Sequence, residues 1–326
     1  MSAPLAATTP DALPVTADNF TRAETDTYFG LFVSRGAGGK FYHFRELAPI
    51  VGTGVRPNRD TLYSEAVFDL DAGPVTLTLP DAGSRFMSML VIDEDHYALE
   101  VAYGAGDHTY TKQQVGTRYL FVALRTFVDP TSPHDLEQVH ALQDAVKISQ
   151  RSAGSFDFPQ WDPVSQKTVR DALNVLNTTL PDMKRAFGRR DEVDPVRHLI
   201  GTGSAWGGNP EKDAIYLNVT PSQSDGQTIY RLAVTGAVPV DGFWSISVYN
   251  HDGYYVKNER DAYTLNNLTA KQDADGSITV QFGGCDGQAA NCLPIFPDWN
   301  YMVRLYRPRP EIVNGTWTFP EAQPAG

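Results

Sequence analysis

Between residues 60 and 127 apolar and polar side chains alternate with a period of two, the spacing of strands that rest one face on a core. In TLYSEAVFDL, Leu62, Ala66, Phe68 and Leu70 share one face, while Glu65 and Asp69 share the other. VTLTLP alternates again, RFMSMLVIDEDHYALEV supplies one or two further strands, and RYLFVALRTFV is a strongly apolar strand with Arg125 inside it. Short strands separated by the turns DAGP and DAGS predict a β-sandwich or jelly roll.

Helical spacing brackets this block. Over 16–35, Phe20, Ala23, Tyr28 and Leu31 recur near helical intervals behind Thr16 or Asp18 as a cap. Over 132–202, Ser132 and Pro133 open a helix striped with Leu136, Val139, Leu142 and Val146. Asp162–Pro163 opens a second, carrying Val169, Leu173, Leu176 and Leu180, and DPVRHLIGTG a third that ends at glycine. Alternation returns over 214–319 in AIYLNVTP, IYRLAVTG, GFWSISVYN, SITVQFG and YMVRLYRP. The turns SDGQ, HDGY and DADGS each hold an Asp–Gly pair, a strong hairpin signal. The pattern predicts a mainly β chain of two jelly-roll-like β-sandwich domains. It divides into a disordered leader (1–15), an N-terminal β-sandwich with its leading helix (16–131), a helical connecting segment (132–202) and a C-terminal jelly-roll-like domain (203–326).

The 326 residues suffice for two cores, and a net charge of −12 disfavours nucleic acid and anionic membrane surfaces as partners. No apolar run reaches the roughly 20 residues of a membrane helix. Cys285 and Cys292 flank a Gly-, Asp- and Asn-rich turn, which suits a disulfide closing a hairpin tip better than packing. A disulfide implies an oxidising compartment, hence a periplasmic or secreted protein. The start, MSAPLAATTPDALP, lacks the positive end and long apolar core of a signal peptide and reads as a leader left after one was removed.

Chemistry concentrates in two stretches. VRPNRDTLYSEAVFDL gathers Arg56, Asn58, Arg59 and Asp60 where a strand begins. Asn58 or Asp60 can bond the backbone two residues on and fix a corner. Equally, two guanidiniums, a carboxylate and the Tyr63 phenol suit recognition of a carboxylate or polyol. DEDHYALEVAYGAGDHTY places His96 among carboxylates and beside Tyr97, a pattern for acid–base work, for metal ligands or for a solvated loop. Trp206 before Gly207–Gly208, Trp244 and Tyr249 are candidates for holding a ring or a small apolar ligand, or for core and edge packing. No H-E-x-x-H, H-x-H or G-x-S-x-G occurs, which argues against common metalloprotease and α/β-hydrolase machinery.

NRDTLYS (58–64), DAGPVTLTLPD (71–81), AWGGNPEKDAIY (205–216), DGFWSISVYN (241–250) and LYRPRPEIVNGTWTFP (305–320) together resemble the paired families called domain of unknown function 1254 and domain of unknown function 1214. The resemblance spans about residues 18 to 323. It implies two jelly-roll-like β domains with helices between, similar in outline to double jelly-roll capsid subunits, and no established chemistry.

Two functions follow as expectations. One is an extracytoplasmic hydrolase or lyase acting on a small polar or carbohydrate-like substrate. In it Arg59 binds the substrate, His96 or Asp60 moves a proton, and Tyr63 donates a hydrogen bond. Asn58, Tyr97, Trp206, Trp244 and Tyr249 then line the site. The other is a non-catalytic ligand-binding or self-assembling double jelly-roll module, presenting its edges and aromatic faces to a ligand or to itself as a homo-oligomer. The sequence names no cofactor, and no residue is assigned to a metal.

Overall fold

The computed structural model describes residues 11–52, 54–287 and 289–325. The expected leader lies outside the described residues over 1–10. Over 11–15 the chain is held: Leu13 N donates to Gln160 O (2.7 Å), Asp162 N donates to Leu13 O (2.8 Å), and Val15 is buried. The fold is mainly β with several antiparallel sheets and a helix near its start. It divides into two compact units that interleave along the chain. One holds residues up to 44, 63–126 and 140–211; the other holds 45–62, 127–139 and 212 onward.

In the first unit a five-stranded sheet runs in the order Tyr42–His43, Thr61–Asp69, Tyr119–Phe127, Met87–Asp93, Ala98–Tyr103. A three-stranded sheet, Gly106–Tyr110, Val75–Leu79, Lys147–Ser149, supplies Val75, Leu77 and Leu79 to a core with Ala66, Phe68, Met89, Val91, Val122 and Leu124. The opposite face of the large sheet, with Val67, Leu90, Ile92, Phe121 and Ala123, meets Phe29 and Phe32 of the first helix. Strand 61–69 is therefore covered on both sides. Asp69, on the face opposite the apolar one, is buried and held by the Arg118 guanidinium (3.0 Å) and by the amides of Asp71 and Ser155.

The first helix is Phe20–Phe32, and it leaves through a π-type turn, Val33–Ala37. Its inward residues are Phe20, Ala23, Phe29 and Phe32, whereas Leu31 is exposed, one position off the expected stripe. Neither Thr16 nor Asp18 caps it. Asn19 precedes the helix, and its Oδ1 accepts from Thr16 N (2.8 Å). Helices Pro163–Asn177 and Pro195–Ser204 start where Asp162 and Asp194 accept amides of the first turn. They pack with the first helix through Val15, Phe20, Ala23, Leu173 and Ile200. The second of them does not stop at glycine. A Cβ on Gly203 would fall 2.9 Å from the Leu173 Cβ, so this glycine is a spacer for close helix packing.

The second unit has two four-stranded sheets. One runs Cys292–Leu293, Ile278–Phe282, Tyr230–Val234, Gln323–Pro324; the other runs Thr264–Asn266, Trp244–Tyr249, Asn300–Tyr306, Ala214–Val219. Tyr230, Leu232, Ile278, Val280 and Phe282 from the first meet Trp244, Ile246, Val248, Tyr301, Val303 and Leu305 from the second in one core. The turns read from Asp–Gly pairs are built as such, with φ of +76° at Gly226, +84° at Gly253 and +83° at Gly276.

Cys285 and Cys292 form a disulfide. Replacing both with serine should lower stability by about 2.5 kcal/mol, the loop-closure entropy of so short a ring. Urea unfolding with and without reductant checks this: the parent should fall to the variant's level when reduced, and a serine variant as stable as the oxidised parent would show the bond contributes nothing. Among the described residues no helix is long and apolar enough to cross a membrane.

Candidate functional site

The PNRDTLYS corner is knit into the second unit. The Pro57 carbonyl accepts from the hydroxyls of Tyr249 (2.7 Å) and Tyr255 (2.9 Å) and from Arg304 Nη2 (3.2 Å). Asn58 Oδ1 accepts from Asp60 N (2.8 Å), the bond two residues on that the sequence suggests. Its Nδ2 donates to Thr61 Oγ1 and to the Tyr306 hydroxyl, both at 3.1 Å. Asp60 is fully buried and accepts from Asn266 Nδ2 (2.9 Å) and Thr264 Oγ1 (3.3 Å). Burial raises its pKa against the pull of Arg304. Arg59 donates to the Ala48 carbonyl and lies over the Tyr263 ring (5.6 Å). In this conformation Asp60 has no face open to a substrate, and Asn58 and Arg59 are engaged within the protein. Tyr249 is equally enclosed. Trp244 sits in the core against Phe319.

His96 and Tyr63 belong to the other unit. His96 occupies the left-handed position (φ +63°) of a turn whose Asp93 Oδ1 accepts from the amides of Asp95 and Tyr97, both at 2.9 Å. Gly207 N donates to His96 Nε2 (2.9 Å), which leaves the Nδ1 proton for Thr202 Oγ1 (2.8 Å). Thr202 Oγ1 in turn donates to the His198 carbonyl (2.9 Å). The neutral ring is thus satisfied at both nitrogens. Burial, with a smaller push from His198, holds its pKa well below the ordinary imidazole value. With both ring nitrogens hydrogen-bonded inside the protein, neither is open to a substrate in this conformation. Its Nε2 and its ring face tie it to Gly207 and Trp206 of the Trp206–Gly207–Gly208 turn.

The rings around His96 form a column. Tyr28 stacks on Trp206 (4.3 Å), Trp206 on His96 (5.3 Å), His96 on His198 (5.6 Å) and His198 on Tyr97 (4.5 Å); Arg190 lies over Tyr97 (4.5 Å). Both faces of Trp206 and of Tyr97 are therefore occupied, and neither offers a platform for another ring. The close approach read at Gly207–Gly208 is present: a Cβ on Gly208 would lie 2.5 Å from the Phe187 ring.

A different group gathers on the helix-facing side of the large sheet in the same unit. Tyr63 and Glu65 point the same way from strand 61–69, and both are half-buried. The Arg125 guanidinium lies over the Tyr63 ring (5.4 Å) and donates to Asn209 Oδ1 (3.2 Å) and to the Gly207 carbonyl (3.4 Å). Glu65 accepts no hydrogen bond from any of the described residues. Burial pushes its pKa up to about 7, although Arg35 and Arg125 both pull it down. A carboxyl that shares its proton near neutrality, with a phenol and a guanidinium beside it, can give or take a proton. Sequence reasoning placed Glu65 only on the face opposite Leu62, Ala66 and Phe68 and did not single it out. The visible signal was Arg125, a charge inside an apolar strand; what surrounds Glu65 depends on the helix layer above it. Among the described residues no group of three or more His, Cys, Asp or Glu side chains is arranged to hold a metal.

The family described as "Protein of unknown function (DUF1254)" matches residues 38–114, and "Protein of unknown function (DUF1214)" matches 215–310. None of the curated proteins matches the chain. Two crystal structures share its fold. The VPA0106 protein from Vibrio parahaemolyticus is 17% identical, with a TM-score of 0.70 over 94% of this chain and 98% of its own. An uncharacterized protein from Burkholderia cenocepacia is 14% identical, with a TM-score of 0.53 over 96% of this chain and 91% of its own.

Proposed function

Because the chain belongs to the proteins that pair DUF1254 with DUF1214, descriptions that assign no activity, we propose its role from its own residues: an extracytoplasmic hydrolase or lyase for a small polar substrate, with Glu65 moving the proton. The observation that carries this is the Glu65 carboxyl, half-buried, without a hydrogen-bond donor among the described residues, and titrating near 7. Tyr63 keeps the hydrogen-bonding role expected of it. Glu65 takes the proton-transfer role first given to His96 and Asp60, because both of those are enclosed and saturated. Arg125 orients Tyr63 and steadies the ionised form of Glu65.

The disulfide supports a periplasmic or secreted location. Two four-stranded sheets around one core support a jelly-roll-like class for the C-terminal domain. The second reading, a non-catalytic ligand-binding or self-assembling module, draws its support from the burial of Asp60 and His96, whose hydrogen bonds are made within the protein.

The test is turnover of a panel of esters, glycosides and hydroxy acids by the parent and by Glu65→Gln. The variant should lose roughly 100-fold or more in kcat while melting at the same temperature or higher. The parent's rate should follow one ionisation near pH 7. A variant as active as the parent removes Glu65 from the mechanism, and a parent inert to the whole panel but stabilised by one compound favours the binding module.

A further inference from the structure

We propose that Arg35 anchors the carboxylate of a small anionic substrate whose reacting end is presented to Glu65; the inference rests on the Glu65 reading above and names its substrate class.

Arg35 lies in the π-type turn Val33–Ala37, where the chain leaves the first helix. Such turns are rare and recur at functional sites. Gly36, at φ +99°, reverses the chain there. Gly38 then bridges Val67, and Gly39 N donates to the Val67 carbonyl (2.8 Å). Val67 is two residues beyond Glu65 on the same face of strand 61–69, so the turn is pinned beside that carboxyl. The next strand brings Tyr42, an exposed ring, directly opposite Glu65 in the register.

The Arg35 side chain is exposed and makes no hydrogen bond or ion pair with any of the described residues. Its neighbour Arg125 is buried and already engaged with Asn209, Gly207 and Tyr63. Arg22, Arg118, Arg170 and Arg197 each hold a carboxylate. Arg35 is close enough to lower the proton affinity of Glu65, yet the two make no ion pair. An unengaged guanidinium on the turn beside an unengaged carboxyl suits a ligand with an acceptor at one end and a hydroxyl or oxo group at the other. A carboxylate fills the guanidinium fork with two parallel bonds, whereas a neutral polyol leaves its charge unmatched. On a surface with net charge −12, a local cation also offsets the repulsion an anionic substrate meets.

Anion binding beside Glu65 disfavours its ionised form, so the two events are linked and the linkage can be read without knowing the natural substrate. The probes are gluconate, an anionic polyol, and sorbitol, its neutral counterpart. The readout is the carbon-13 titration of the Glu65 carboxyl, assigned by its loss in Glu65→Gln. Groups that face Glu65 and must be tracked with it are Arg35, Arg125, Tyr63 and Tyr42. Excess gluconate should raise the Glu65 midpoint by about one pH unit, a tenfold coupling, and sorbitol should not. Arg35→Gln should abolish the gluconate response with the free protein's melting point unchanged. The inference is overturned if gluconate does nothing to the parent, if sorbitol acts equally, or if Arg35→Gln responds like the parent. A midpoint near 7 that ignores gluconate sinks only this inference. A midpoint in the ordinary carboxylate range sinks the Glu65 reading beneath it.

Discussion

Arg304→Met is expected to lower the stability of the protein by roughly 3–5 kcal/mol, the usual result of removing one member of a buried, hydrogen-bonded charged network. Arg304 is 2% exposed. Its Nη1 donates to Ser247 Oγ (2.8 Å), and its Nη2 donates to the Tyr249 hydroxyl (2.6 Å) and to the carbonyls of Arg56 (3.0 Å) and Pro57 (3.2 Å). It is also the cation that offsets the enclosed Asp60. Methionine fills the volume but leaves two backbone carbonyls without this donor and Asp60 without its counter-charge. Arg304→Lys should recover little, because a point charge does not reproduce a planar fork reaching four acceptors. Adding Asp60→Asn to Arg304→Met should recover part of the loss, since the uncompensated charge goes with it. Urea unfolding at pH 7 checks all three variants. A loss under 1 kcal/mol for Arg304→Met would mean that the corner is not held in this way.

Asp26→Asn should be more stable than the parent at pH 8, by roughly 3 kcal/mol, with the advantage vanishing toward pH 4. Asp26 lies on the first helix and is almost fully buried. Trp161 Nε1 donates to its Oδ2 (2.9 Å), while its Oδ1 meets no donor among the described residues. Desolvation pushes its pKa up from 3.8 to about 7; Glu94 and Asp95 push the same way, and Trp161 and Arg22 oppose them. The folded state therefore binds this proton more tightly than the unfolded chain does. Stability is lost as pH rises from about 4 to about 7, and the full cost is present above 7. Asparagine removes the charge and the cost together. Melting temperatures of parent and variant at pH 5 and pH 8 check it; a variant no more stable at pH 8 would show that the native carboxylate is well solvated. Asp93 and Glu65, also raised to about 7, contribute slopes of the same sign, so the comparison must be between variant and parent rather than between pH values alone.

The strands of the second unit were legible because one side of each sheet meets a single core. Trp244, Ile246 and Val248 alternate with Ser245, Ser247 and Tyr249, and this parity survives into the structure. In strand 61–69 the same reading gave the apolar face correctly and left the cover of the other unread. Glu65 and Asp69 share the face opposite the apolar one, yet that face is covered too, by the first helix at Val67 and by Arg118 and Ser155 at Asp69. Alternation reports one covered face; it does not report a second layer brought in from residues 20–32. The candidate site shows the same limit. Asp60 and His96 have the right side chains for acid–base work, but residue type carries no information on burial or on how many bonds a group has already made. Gly203 is a related case. Read as a helix stop, it is a point of close contact with Leu173, a partner thirty residues away.

The interleaving of the two units bears on how this protein can be cut. A polypeptide started at residue 212, a natural choice from the DUF1214 boundary, would lack 45–62 and 127–139. Its sheet would then present Ser247, Tyr249 and Arg304 bare on one side, without the carbonyls of Arg56 and Pro57 or the Asp60 carboxylate that now satisfy them. Truncations drawn at the family limits are thus poor candidates for autonomous folding. Any dissection of this molecule has to excise or transplant loops rather than split the chain in two.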